Sequence, residues 1–261
     1  NLGGSMIILK SRPEIALMRE AGRIVARVHD AMRAMVRPGI TTAELDARAE
    51  EIIRQHGAVP TFLGYPHTGK NDFPASICAS VNQELVHGIP SAQRWLEPGD
   101  IISIDVGATY QGWVGDSAWT YAVGPIDAES QALLDATEGG LWAGISQARA
   151  GNFLADISRA VETYVVQRGF HVVREYTGHG VGRRMHEEPN VLNYVPPGAG
   201  RGPKLRSGMT FALEPMVGAG TWRTKVLSDG WLVVMADGKR SAHFEHTIAV
   251  TDGEPELLTV L

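Results

Sequence analysis

Cysteine is nearly absent: Cys78 is the only one in 261 residues. That excludes an intrachain disulfide and fits a reducing compartment. No run of about 18 apolar residues occurs, so no membrane-spanning helix is expected. The N-terminus has no basic stretch leading into an apolar one, so no signal peptide is expected. Positive charge is in short supply, with 24 Lys and Arg against 29 Asp and Glu and a formal net charge of −5. The overall balance therefore offers nothing to a nucleic acid, and the Arg183-Arg184 pair reads as a solvated face. Signs of disorder are missing too, at 44% hydrophobic and 20% charged residues. Asn1–Ser5 (NLGGS) reads as an expression scar ahead of Met6, which leaves 6–261 as a single expected domain. A soluble, cytoplasmic, globular protein is the expectation.

Within that ordinary chain, Ile101–Tyr121 (IISIDVGATYQGWVGDSAWTY) stands out. Its Ile, Val, Trp, Thr and Tyr predict two strands, turning near Tyr110-Gln111-Gly112. Asp105 and Asp116 lie eleven residues apart on either side of that turn. Folding the hairpin brings the two acids near each other in a largely buried sheet. Ionised carboxylates repel there and lose hydration, and a cation is the simplest compensation.

Elsewhere, Leu17, Ala21, Ile24, Val28, Met32 and Met35 recur at helical steps and predict a helix over Pro13–Val36, stopped by Pro38-Gly39. Thr41-Thr42-Ala43-Glu44 opens a second helix running to Gly57. The segment Thr61–Pro74 reads as an aromatic loop carrying Phe62, Tyr65 and Phe73. Single strands are expected over Ser76–Val86, Gly208–Met216 and Ala242–Val250. In the last of these, His243 and Glu245 share one face, and Phe244 and His246 share the other.

The second half echoes the first. At an offset of 112, Arg37, Gly39, Ala43, Glu50, Gln55 and Gly57 repeat as Arg149, Gly151, Ala155, Glu162, Gln167 and Gly169. Leu96-x-x-Gly99 followed by Asp105 likewise repeats as Leu205-x-x-Gly208 followed by Glu214. The pattern predicts two pseudo-equivalent α/β halves with Asp105 and Glu214 facing each other across one cleft.

Asp105, Asp116, His179, Glu214 and Glu245 are the polar residues set into these apolar strands or the Gly-rich stretch Tyr176–Pro189. Any one of them alone reads as a cap, a salt-bridge partner or a satisfied core side chain. Four such acids together are different, because buried carboxylates are rare unless paired or bound to metal. This oxygen-rich set without thiolate suits two divalent ions such as manganese, iron or cobalt better than a closed structural zinc site. Hydrolysis is the chemistry such a pair of ions favours.

The chain resembles the short bacterial type I methionine aminopeptidases over essentially all of Met6–Leu261. The motifs are Asn82–Pro90 (NQELVHGIP), Ile104-Asp105-Val106-Gly107 with Asp116, and Gly178–Gly182 (GHGVG) with His186-Glu187-Glu188-Pro189. Thr210–Pro215 (TFALEP) and Phe244–Thr247 (FEHT) complete the set. The resemblance implies one catalytic domain of the pseudo-two-fold pita-bread α/β fold.

It further implies that Asp105 binds one divalent ion, that Asp116 and Glu245 bridge two, and that His179 and Glu214 complete the other. The ions would be cobalt, manganese, iron or zinc. Glu214 would also handle the proton of the attacking water, and His87 and His186 would contact substrate and the tetrahedral oxyanion. Tyr65, Phe73, Cys78, Met185 and Trp231 would wall a methionine pocket, where sulfur and aromatic surfaces suit a thioether. Met185 stands where an aromatic is usual and Phe62 where a small thiol is common. Some relatives also hold a monovalent cation through loop backbone, which maps near Asn82 and Ser241.

The implied partners are the N-termini of nascent polypeptides, next to the ribosome. The charge balance and the lack of a long apolar run point to no nucleic acid and no membrane, and a monomer is the default expectation. Two alternatives remain. Proline dipeptidases and aminopeptidase P use similar metal motifs but usually carry a large N-terminal domain, for which Met6–Gly39 leaves no room. A non-catalytic peptide-binding relative would be expected to lose ligands that this chain keeps.

Overall fold

The computed structural model describes residues 6–261, so the segment read as an expression scar, Asn1–Ser5, lies outside the described residues. Local chemistry opens both early helices. The Ser11 N–H donates to the Glu14 carboxylate at 2.8 Å, and α1 (Arg12–Met35) follows, with Pro13 in the first turn where no N–H is needed. The Thr41 N–H donates to Glu44 Oε2 at 2.8 Å while the Glu44 N–H donates to Thr41 Oγ1 at 3.2 Å, a reciprocal cap that starts α2 (Thr42–Gln55).

Strands β1 (Val59–Pro60), β2 (Ile77–Val81), β3 (Glu84–Val86), β4 (Ile101–Tyr110) and β5 (Trp113–Ala122) come next. The hairpin between β4 and β5 turns at Gln111 and Gly112, with φ of 49° and 78°, the left-handed pair a two-residue turn requires. β1, β2 and β5 all pair antiparallel with β4. The strand expected over Ser76–Val86 is two strands. Asn82 adopts φ 59° and turns the chain after Val81, whose N–H is taken up by Glu84 Oε2 at 2.7 Å.

The second half repeats this plan. α3 (Ala128–Gln147) and α4 (Leu154–Val166) follow, and the first residue of α4 lies 112 positions after that of α2, as the echo predicts. The remaining strands are β6 (His171–Val172), β7 (Gly178–Gly180), β8 (Glu187–Val191), β9 (Thr210–Leu213), β10 (Met216–Gly218), β11 (Thr224–Val226), β12 (Val233–Met235), β13 (Ser241–His243), β14 (His246–Ala249) and β15 (Glu256–Leu257). One sheet runs β15-β14-β9-β7-β8 and another β13-β10-β6.

Two further strands predicted as single are broken, and at matching places. Between β9 and β10 lie Glu214 and Pro215, and the proline lacks the N–H a ladder needs. Between β13 and β14 lie Phe244 and Glu245. β13 pairs with β10 and β14 with β9, so both segments change sheets at the same level. Glu214 and Glu245 occupy those neighbouring breaks.

Each half has its own core. α1 and α2 pack on Ile102, Ile104 and Val106 of β4, whereas α3 and α4 pack around Phe211, Leu213, Val217 and Ile248. Hydroxyl side chains stitch the halves together along β5. The Asp116 N–H donates to Thr247 Oγ1 at 3.0 Å and the Thr247 hydroxyl donates to the Asp116 carbonyl at 2.7 Å. The Ser117 hydroxyl donates to the Glu245 carbonyl at 2.6 Å, and Thr120 both donates to and accepts from the His243 backbone at 2.9 Å. This clasp holds Asp116 beside the β13–β14 break. Among the described residues, no helix is long and apolar enough to cross a membrane.

His29 of α1 is buried under β5, with Nε2 3.0 Å from the Ser117 carbonyl and Nδ1 2.8 Å from Tyr121 Oη. Burial pushes its pKa from 6.5 down to about 4. Below pH 6.5 the unfolded chain takes up a proton that the native ring refuses. His29 therefore costs stability as pH falls from about 6.5 to about 4, by roughly 3 kcal/mol over that window. Urea unfolding of His29→Gln should show a shallower acid-side loss than the parent, a difference that isolates His29 from other titrating groups. Equal slopes would refute this role.

Candidate metal centre and adjoining pocket

Strand register places the first acids. Asp105 pairs across β4–β5 with Ala118, and Asp116 pairs with Gly107, so both carboxylates point to the face opposite α1. Gly107 is bare for a reason: a Cβ there would lie 2.7 Å from Phe62 Cε1. On the other side of β4, Cys78 pairs with Asp105 and brings a sulfur to the same face.

The second half supplies the rest. His179 sits mid-strand in β7, and its Nδ1 lies 2.9 Å from the Gly180 carbonyl. A carbonyl only accepts, so Nδ1 carries the proton and Nε2 keeps its lone pair. That Nε2 lies 3.3 Å from Glu214 Oε1 and 3.6 Å from Asp116 Oδ2. All five predicted ligand residues therefore converge from five segments of the chain.

Their electrostatics demand a partner. Asp105 Oδ1, Asp116 Oδ1 and both carboxylate oxygens of Glu245 are buried with no hydrogen-bond partner. Glu245 is 1% exposed and Asp116 2%. Burial, with mutual repulsion added, pushes the Asp116 and Glu245 carboxyls well up, burial alone does the same for Glu214, and Asp105 rises to about 7. Orphaned, hard oxygen donors around an imidazole lone pair are the donor set a divalent cation satisfies, and the residues fit one. Asp116, His179 and Glu245 offer one such group of atoms within 4.8 Å of each other.

A cavity of about 210 Å³ opens directly beside these acids. Asp105, Asp116, His179 and Glu214 line its inner end, while Glu245 lies behind them. Phe73 and Cys78 are buried in its wall at 2% and 5% exposure, joined by Tyr65, Met185 and Trp231. Burial and the nearby acids push the Cys78 thiol up, so it stays protonated and serves as apolar wall, not nucleophile. Phe62 packs in this wall too. Rings crowd the mouth: Tyr65 Oη lies 2.6 Å from His186 Nδ1, and His87 stands edge-on to Tyr176 and Trp231. Burial lowers the pKa of His87 to about 4, helped by neighbouring imidazoles, and lowers that of His186.

Near the corner mapped to a monovalent cation, the Ser241 N–H donates to the Asn82 carbonyl at 3.0 Å. Tyr176, Met216 and His243 line the cavity without having been singled out. Tyr176 and Met216 carry no sequence signal beyond proximity to motif residues. His243 did have one, since it shares a strand face with Glu245.

Metallopeptidase family M24 matches residues 16–252 of the chain. Methionine aminopeptidase 1 of Bacillus subtilis is 52% identical over 254 residues, which cover 97% of this chain and 99% of that protein. The crystal structure of methionine aminopeptidase from Thermotoga maritima superposes with a TM-score of 0.93 at 42% identity, over 98% of this chain and 100% of that one. Prolidase from Pyrococcus furiosus shares the fold alone, with a TM-score of 0.77 at 19% identity over 98% of this chain and 66% of its own. The chain belongs to metallopeptidase family M24 and has its pita-bread fold, with the pseudo-two-fold plan expected from the internal echo. Within that family it stands with the methionine aminopeptidases, and its likeness to prolidases goes no further than the fold.

Proposed function

We propose that this chain hydrolyses the N-terminal methionine from newly made polypeptides in a metal-dependent reaction, favouring a small second residue. One observation carries the reading: the orphaned buried carboxylates of Asp105 and Asp116 open straight onto a sulfur- and aromatic-walled cavity of about 210 Å³, with room for one side chain. Such a substrate puts the work of the enzyme where chains are made, in the cytoplasm. Residues 6–261 act as one catalytic unit, since the site draws on segments from Tyr65 to Glu245.

Asp105, Asp116, His179, Glu214 and Glu245 would hold two divalent ions. Bound there, the ions supply Lewis acidity that polarises the scissile carbonyl and acidifies the attacking water. Glu214 lines the cavity and accepts the water proton on its carboxylate, then returns it to the leaving amine. Tyr65 orients His186: with the hydroxyl proton directed at Nδ1, the ring keeps its proton on Nε2 and donates from there. His87, held neutral at pH 7, donates to the substrate backbone from the other side of the mouth. Tyr65, Phe73, Cys78, Met185 and Trp231 receive the methionine side chain, and the ring-crowded mouth leaves little width for a bulky second residue.

His87→Ala and His186→Ala should each lower kcat by about 10²–10³-fold with a smaller change in KM, as expected for donors used in the transition state. Steady-state kinetics on Met-Ala-Ser read this out, and a loss confined to KM would remove them from that role. For the activity itself, the metal-stripped protein is restored with Co, Mn, Fe or Zn and offered Met-Ala-Ser, Met-Lys-Ser, Leu-Ala-Ser and Ala-Pro-Ser. Methionine release from Met-Ala-Ser alone is expected. Release from Ala-Pro-Ser would move the chain to proline-specific chemistry, and silence with every metal would end the catalytic reading.

A further inference from the structure

A second imidazole points into the metal centre. His243 ends β13, is 1% exposed, and its Nε2 is buried without a hydrogen-bond partner. That atom lies 3.3 Å from Glu214 Oε2 and 3.9 Å from Glu245 Oε2. His179 Nε2 lies 3.3 Å from the other oxygen of the same carboxylate, Glu214 Oε1. The two rings therefore flank Glu214, one to each oxygen. Glu214, His243 and Glu245 form a second group whose ligand atoms all fall within 4.8 Å of one another, separate from the Asp116–His179–Glu245 group but sharing Glu245.

The backbone fixes this ring in place. The Thr120 hydroxyl donates to the His243 carbonyl, and the His243 N–H donates to Thr120 Oγ1, each at 2.9 Å. The residue is thus locked to β5, and the break at Phe244-Glu245 that follows keeps Glu245 on the same side. An orphaned ring nitrogen so enclosed leaves a polar group unsatisfied, at a cost of about 1–3 kcal/mol unless something takes its lone pair. The surrounding groups are carboxylates, which need a cation themselves.

We propose that His243 is a metal ligand through Nε2, giving this centre two imidazoles, one at each end of Glu214. The inference rests on the reading of the acid cluster as a divalent metal centre. Its consequence is selectivity: an added imidazole favours cobalt, iron or zinc over manganese, which prefers an all-oxygen shell. His243 acts on the ions and their ranking, and no contact with substrate is assigned to it.

The test counts coordinated histidines directly. Metal-free protein loaded with Co(II) should show two solvent-exchangeable, hyperfine-shifted imidazole N–H signals by proton NMR, one each from His179 and His243. His243→Gln should show one, and its Co(II) affinity by calorimetry should fall at least about tenfold, while Mn(II) affinity changes less. Far-UV circular dichroism of metal-free His243→Gln checks that it folds; should it not, the signal count in the parent still decides. Co(II) binding with a single imidazole signal in the parent would overturn the assignment of His243 and leave the metal centre standing. Failure of the parent to bind Co(II) at all would overturn both.

Discussion

Glu245→Gln should lower methionine release by about a thousandfold or more, and should do so while making the metal-free protein more stable. The first effect follows from the loss of a ligand shared by both candidate groups of donor atoms. A bound ion contributes several kcal/mol of transition-state stabilisation, and about 4 kcal/mol is about a thousandfold in rate. The second follows from burial. Both Glu245 oxygens lack partners, and burial beside Asp116, Glu214 and Asp105 pushes the carboxyl well above its ordinary value of 4.5. In the metal-free protein at neutral pH the native state must hold a proton that the unfolded chain releases. Stability therefore falls as pH rises above about 4.5, opposite in sign to the contribution of His29. An amide of the same shape has no such penalty. Urea midpoints at pH 7.5 should thus cross over, with Glu245→Gln above the parent under chelator and below it with metal. A variant less stable than the parent in both conditions would mean that Glu245 is a structural residue.

The second large effect is structural. Gly115→Ala should destabilise the protein by about 3 kcal/mol or more, near the upper end for overpacking. A Cβ on Gly115 would sit 2.7 Å from the Gly22 nitrogen and 2.8 Å from its Cα. Those are backbone atoms of α1, and they have little room to yield. Gly22 is itself wedged against the chain terminus, where its own Cβ would lie 1.9 Å from the Leu258 carbonyl oxygen. Helix, hairpin and C-terminal segment therefore meet backbone to backbone. Since β5 carries Asp116, pushing α1 away from β5 also disturbs the acid cluster. For a chain of this size, the thermal midpoint should drop by roughly 10 °C. Gly57→Ala is the comparison: its φ of 72° is strained for alanine but nothing lies within 4 Å, so about 1 kcal/mol is expected. Equal losses in the two variants would show that close approach is not what Gly115 provides.

Much of this architecture was legible because local chemistry and tertiary role agree. The caps at Ser11 and Thr41 mark helix starts that packing also wants. The hairpin turn is marked by Gly112, which accepts left-handed backbone freely, whereas its neighbour Gln111 adopts φ 49° without belonging to a residue type that favours it. The acids stand out because Asp105, Asp116, Glu214 and Glu245 interrupt apolar strands, and such interruptions are expensive without compensation.

What escaped was set by partners distant in sequence. Glu214-Pro215 and Phe244-Glu245 look like positions within strands, and only the pairing of β10 with β13 and β9 with β14 turns them into breaks. Asn82 is itself a turn-favouring residue that tolerates left-handed backbone, and the apolar residues on either side of it masked the turn by reading as one strand. His243 was read by its face alone. Its aim at Glu214 depends on how two halves of the chain close on each other, which alternation along one strand does not encode.

Titration of the metal-free protein with Co(II), following methionine release from Met-Ala-Ser at each addition, tests the central claim most directly. We predict no release without metal, release that climbs with bound cobalt and levels off by two ions per chain, and release at least about a thousandfold lower at every cobalt level for Glu245→Gln at the same enzyme concentration. Full-rate release by the rigorously metal-free protein would contradict the account.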